Sequence, residues 1–155
     1  MSKDTFIALV QQHQGLINKI LFLYADNAED RKDLRQEILT EAWRSFGKFR
    51  GEAKFSTWLY RVGVNVALSF LRKNPKTHGD FGPEKASAGH GEEELLQQVL
   101  QVLNPVEKSL ILLLLEGYDQ QEISDILGIS PGNTRVKIHR TREKLRTYGI
   151  DRFVE

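Results

Sequence analysis

Residues 119–147 read DQQEISDILGISPGNTRVKIHRTREKLRT, and their punctuation decides the fold. Asp119 and Glu122 stand at capping-box spacing and open a short helix with Ile123, Ile126 and Leu127 turned inward. Gly128 closes it, and Ser130-Pro131 supplies an N-cap and a first helical residue for the next. Two helices joined by Gly-Ile-Ser, the second rich in cations, predict a helix-turn-helix. At about 100° per residue, Thr134, Ile138, Thr141 and Leu145 fall on one side of that second helix and form its core face. Asn133, Val136, His139 and Arg140 point the opposite way. Arg135, Arg142 and Arg146 line one flank, and Lys137 and Lys144 the other. Residues 131–147 hold six basic groups against one Glu, a composition suited to a DNA major groove.

Upstream, Asn104-Pro105-Val106-Glu107 repeats the N-cap grammar and opens a helix that ends at Gly117. A preceding helix near 92–103 carries Leu95, Leu96, Val99, Leu100 and Leu103. Residues 74–91 hold two of the four prolines and four of the twelve glycines, with Phe81 their only large apolar side chain. That stretch cannot bury enough apolar surface to offset its ordering entropy, so it reads as a flexible linker with a span of about 25 Å.

The N-terminal part also reads as helical, near 4–14, 16–25, 29–46 and 57–73, with no period-two alternation. In the third helix Leu34, Ile38, Ala42 and Phe46 form a core stripe, and Asp33, Glu37 and Glu41 form a second, acidic stripe. Gly47 and Gly51 bracket a basic loop, Lys48-Phe49-Arg50. Ser56 is the expected N-cap of the last helix. That helix is expected to bury Trp58, Leu59, Val62, Val66 and Phe70, with Arg61, Asn65 and Arg72 on a different stripe. The fold class is therefore all-α, two small helical domains on a tether. The expected divisions are 1–73, a linker at 74–91, a second domain at 92–148, and a short tail at 149–155.

Composition narrows the function. The chain of 155 residues has no cysteine, which excludes disulfides and thiolate metal sites. Its longest apolar run, Leu110 to Leu115, is six residues, whereas a membrane span needs about 20. No secretory signal and no membrane insertion are expected, and the location expected is cytoplasmic. The net charge of +1 conceals segregation: residues 92–130 carry −7, while 1–74 and 131–155 carry +4 each. Such patches favour separate cationic and anionic partner surfaces.

Several further blocks carry a family resemblance. Lys32-Asp33-Leu34-Arg35-Gln36-Glu37-Ile38, Glu41-Ala42-Trp43, Phe49-Arg50-Gly51-Glu52, Phe55-Ser56-Thr57-Trp58-Leu59-Tyr60-Arg61-Val62 and Asn65-Val66-Ala67-Leu68 resemble region 2 of ECF-type bacterial sigma factors. Residues 122–130 and 136–146 resemble region 4, and the linker falls where that family has its own. The family usually has valine where this chain has Thr134, whose methyl can still pack. With nine residues after Arg146, the extra C-terminal domain that some ECF groups carry is not expected.

The resemblance implies a sigma factor that binds core RNA polymerase and directs promoter-specific initiation. Region 2 would recognise and melt the −10 element, and region 4 would read the −35 element. Asp33, Gln36 and Glu37 would dock on the β′ coiled coil, and the β flap would be a second polymerase contact. For melted DNA, Lys48, Arg50, Lys54, Arg61 and Arg72 would meet phosphates, and Asn65 a base edge. Phe49 and Tyr60 would be stacking groups, with Trp58 in the core. Asn133, Arg135, Val136, Lys137, His139, Arg140 and Arg142 would meet the −35 element. Partners are then core polymerase, promoter DNA and, where one exists, an anti-sigma factor; in holoenzyme the chain would be nucleoid-associated.

Two other functions fit parts of the sequence. As an enzyme, the chain offers only scattered histidines (His13, His78, His90 and His139), no Gly-rich phosphate loop and no Gly-x-Ser-x-Gly, so no catalytic residue, metal or cofactor is expected. A helix-turn-helix regulator with an N-terminal sensor or dimerisation domain is allowed by the second domain alone. Against it stands the basic, aromatic-bearing block 48–73, which a sensor does not need.

Overall fold

The computed structural model describes residues 2–73 and 100–150, and among these every regular element is helical. The chain divides into two compact units. The linker 74–91, Leu95, Leu96 and Val99 lie outside the described residues.

The first unit holds α1 (Lys3–Gln12), α2 (Gln14–Tyr24), α3 (Ala28–Phe46) and α4 (Phe55–Lys73). Ser2 caps α1 by accepting from the Thr5 amide, and Asn27 caps α3 by accepting from the Asp30 amide at 2.8 Å. The α3 stripe is as expected, with Leu34, Ile38, Ala42 and Phe46 all buried. Arg35 fastens α3 to α2 from outside the core, donating to the side-chain oxygens of Gln14 at 2.7 Å and of Asn18.

Helix α4 departs from expectation twice. It begins at Phe55, so Ser56 lies inside its first turn and is not the cap; the Trp58 amide bonds back to the Lys54 carbonyl at 3.1 Å. It is also turned by about one residue's rotation, about 100°. Its buried residues include Leu59, Tyr60, Gly63, Val64, Ala67, Phe70 and Leu71, while Trp58, Val62 and Val66 are only half-buried. Gly63 accounts for the rotation. A Cβ there would lie 2.5 Å from Ile20 Cδ1, so the missing side chain is what lets α2 and α4 touch along this line. Pattern reading weighs large apolar residues and passes over a glycine at the centre of a buried face.

The second unit holds α5 (Pro105–Leu115), α6 (Gln120–Leu127) and α7 (Pro131–Thr147). Both expected capping boxes are formed, Asn104 with Glu107 and Asp119 with Glu122, all four bonds between 2.8 and 2.9 Å. Gly128 ends α6 at φ 70°, and Ser130 accepts from the Asn133 amide to cap α7.

At the other end of α7 the expected tail is corrected. Gly149 turns the chain at φ 74°, its amide bonds to the Arg146 carbonyl, and the Ile150 amide bonds to the Leu145 carbonyl at 2.8 Å. This is a Schellman closure, and it folds the next apolar side chain back onto the helix. Ile150, 2% exposed, completes a cluster with Leu103, Ile111 and Leu145. The core of the unit therefore reaches past 148.

Candidate nucleic-acid interface

The loop between α3 and α4 is held by its aromatic residues. The Lys48 and Phe49 amides bond to the Ser45 and Phe46 carbonyls at 2.9 and 3.0 Å, continuing the helix end. Phe49 then stacks on Phe46 at a 6.2 Å centroid separation and tilts against Trp58 at 5.3 Å. Phe55 sits edge-on to Phe49 at 5.8 Å, and the His13 ring closes the far side of Phe55 at 5.0 Å. Ring pairs at these separations add to burial. They pin a loop that carries little other apolar surface.

Lys48, Arg50 and Lys54 all project from this pinned loop and are exposed. The rotation of α4 then places Arg61, Asn65 and Arg72 on the side opposite its buried face, all exposed. The same rotation corrects one expected site residue. Tyr60 is 2% exposed, with its ring turned into the unit, so no base can stack on it in this conformation. Phe49 and Trp58 are half-buried parts of the loop's anchor. On α3, Asp33 and Gln36 are exposed and Glu37 is half-buried. Glu41 is engaged within its own helix, by Arg44 at 3.1 Å and Ser45 at 2.8 Å. The open part of the acidic stripe is thus Asp33 to Glu37.

On α7 the expected rotation holds. Thr134, Ile138, Thr141 and Leu145 are buried, and Asn133, Arg135, Val136, His139 and Arg140 are exposed. Val136, 41% exposed, is an apolar side chain on an otherwise polar face, the kind of group that meets a thymine methyl. Lys137 is half-buried, its stem lying along the edge of the core. Arg142 differs from expectation: it is half-buried, and its Nε is shielded from solvent. It lies closer to the core stripe than Arg135 does, and so is a poorer phosphate arm.

Sequence reading missed a further contact. Lys144 pairs with Glu107 at 3.0 Å, tying α7 to α5 through the carboxylate that also completes the α5 capping box. Glu107 is recognisable in the sequence as a capping residue, but its second partner stands 37 positions away. Among the described residues no three His, Asp or Glu side chains gather as a metal site, and no helix is long and apolar enough to cross a membrane.

Comparison with known proteins gives these faces a context. The family description Sigma-70 region 2 matches residues 9–77, and Sigma-70, region 4 matches residues 93–145. The RNA polymerase sigma-H factor of Pseudomonas aeruginosa is 29% identical, the alignment covering 92% of this chain and 85% of that protein. The ECF RNA polymerase sigma factor SigW of Bacillus subtilis is 26% identical, over 93% and 88%. Among solved structures, the sigma factor RpoE of Bartonella quintana, in complex with the anti-sigma factor NepR, shares the fold with a TM-score of 0.68. It is 18% identical, over 94% of this chain and 99% of that one.

Proposed function

Since the chain belongs to the sigma-70 family of bacterial RNA polymerase sigma factors, in its ECF group, we propose the following division of labour among its residues. Residues 1–73 bind core polymerase and the −10 element, 74–91 form the tether, and residues from 92 onward read the −35 element. The chain acts in the cytoplasm, on the nucleoid when in holoenzyme, as an initiation factor with no catalytic step of its own. Its partners are core polymerase, through the β′ coiled coil and β flap, promoter DNA, and an anti-sigma factor where one holds the chain inactive.

One observation carries this reading. Each unit turns a cationic face to solvent, and each such face includes an uncharged side chain able to read a base, Asn65 on α4 and Asn133 with Val136 on α7. Cations alone would serve any anionic partner; the amides and the valine add base-edge recognition. Asp33, Gln36 and Glu37 give the first unit an anionic face for a protein partner. The test is run-off transcription with core polymerase on genomic fragments. Transcripts from a narrow promoter set are expected. Failure to co-purify with core polymerase would favour a helix-turn-helix regulator.

Asn65 sharpens the −10 half. It is exposed and makes no side-chain hydrogen bond among the described residues, so Asn65→Ala opens no cavity. Open-complex formation should fall, core binding should stay near the parent value, and preference should relax at one −10 position. Preference unchanged across all −10 substitutions would remove Asn65 as a base reader.

On the −35 side, reading and anchoring separate by position. Arg140→Ala should cost about 1–3 kcal/mol and flatten preference at one or two base pairs. Arg135→Ala should weaken binding to every sequence alike and lower the salt slope by about one phosphate's worth. Promoter-variant titrations at several salt concentrations distinguish them. The opposite pairing of effects would mean that α7 sits differently in the groove.

A further inference from the structure

Where α6 crosses α7, two hydroxyls meet out of reach of water. Ser124 is 2% exposed and Thr134 is 0% exposed. Ser124 Oγ lies 2.7 Å from Thr134 Oγ1 and 2.8 Å from the Gln120 carbonyl oxygen, and Thr134 Oγ1 lies 3.0 Å from the Ser130 carbonyl oxygen. Three contacts share two hydroxyl protons. If each hydroxyl gave its proton to its own helix, two oxygens would face each other at 2.7 Å, lone pair against lone pair. Any arrangement leaves one of the three contacts without a proton, and the contact between the helices, at 2.7 Å the shortest, is the costliest to leave bare, so one hydroxyl donates to the other. A second tie runs beside it, from Gln120 Nε2 to the Pro131 carbonyl at 3.2 Å. Both ties grip the first turn of α7, which carries Asn133 and leads directly to Val136.

Resting on the reading of α7 as the −35 reader, we propose that Ser124 and Thr134 are positioning residues for base recognition. Their hydroxyl bond sets how closely α7 approaches α6, and so where Asn133 and Val136 stand relative to base edges. Distance is the reason. A hydroxyl pair closes to 2.7 Å here, whereas carbon stands off from oxygen at about 3.3–3.6 Å. Valine at 134 keeps the shape of threonine but must push the two side chains apart by about 0.6 Å or more. Base-edge hydrogen bonds weaken steeply with distance and misalignment. Attraction between a cation and a phosphate falls only gradually with distance. Loss of the pair therefore blunts sequence preference and spares the sequence-independent part of binding.

The experiment uses the full chain assembled with core polymerase, parent and variants side by side, on a panel of −35 substitutions at several salt concentrations. Thr134→Val should compress discrimination at the base pairs met by Asn133 and Val136 by about threefold to tenfold, a fraction of a full base contact. Its salt slope should match the parent. Ser124→Ala brings no such stand-off but removes the bond that holds α7 to α6, so it should compress discrimination in the same direction and by less, and Thr134→Ser, which keeps both hydroxyls, should retain the parent preference. Helix content and thermal midpoint are recorded for each. If Thr134→Val fails to fold, Ser124→Ala and the double variant, in which both partners are apolar, carry the measurement. Unchanged preference in the folded variants overturns the proposal, as does an equal loss on all sequences. A parent holoenzyme with no −35 preference would instead count against the reading of α7 itself.

Discussion

Holoenzyme formation by an Asp33→Lys, Glu37→Lys variant is expected to weaken by about two to four orders of magnitude, with helix content unchanged. The two carboxylates lie four positions apart on α3, Asp33 exposed and Glu37 half-buried, and neither belongs to the stripe of Leu34, Ile38 and Ala42, which are fully buried. Replacing them leaves that stripe in place. Each charge-assisted contact with a cationic partner is worth about 1.5–3 kcal/mol, and reversal replaces attraction with like-charge repulsion. Glu41 is the less available carboxylate of the stripe, because Arg44 and Ser45 engage it. Competition for core polymerase against the parent chain measures the effect, with the milder Asp33→Asn, Glu37→Gln pair expected to fall between. A folded double-lysine variant that competes as well as the parent would show that core polymerase docks elsewhere.

The second large effect is on stability. Ile150→Ala should destabilise the second unit by about 2–5 kcal/mol, the usual cost of emptying a buried isoleucine site. A unit of this size has only about 3–8 kcal/mol in hand. Ile150 is one of four side chains that close the cluster with Leu103, Ile111 and Leu145, so its loss opens the core from one end. A thermal scan of the full chain by circular dichroism should show the second unit melting well below its parent midpoint. Binding to the −35 element should weaken in parallel, while binding to core polymerase through the first unit persists. Ile150→Val, which removes one methylene, should cost about 0.5–1.5 kcal/mol. An alanine variant that melts with the parent would mean that Ile150 contributes nothing to the core.

The second unit was the more legible in the sequence because its helix ends are spelled out locally. Capping boxes and a positive-φ glycine are signals contained within four or five residues, and they placed α5, α6 and α7, with the side of α7 that faces the core. The first unit is written in long-range terms. Which face of α4 is buried depends on Gly63 meeting Ile20, 43 positions earlier, and no window of neighbouring residues contains that fact. Tyr60 was misplaced for the same reason. Ile150 is legible in principle, since Gly149 followed by an isoleucine is the Schellman pattern, but the cluster it joins includes Leu103, 47 positions earlier. Thr134 is legible as a core residue of α7, but its hydroxyl partner Ser124, ten positions earlier on another helix, is visible only across the turn.

The local spelling of the second unit bears on the time the chain takes to fold. Its three described helices pack on one another within residues 105–147, and each start and stop is set by residues a few positions apart. Little loop-closure entropy has to be overcome before contacts form, and domains built in this way fold in microseconds to milliseconds. A nascent or displaced chain would therefore hide Ile111 and Leu145 from chaperones and proteases within a small fraction of the time that synthesis takes to add one or two residues.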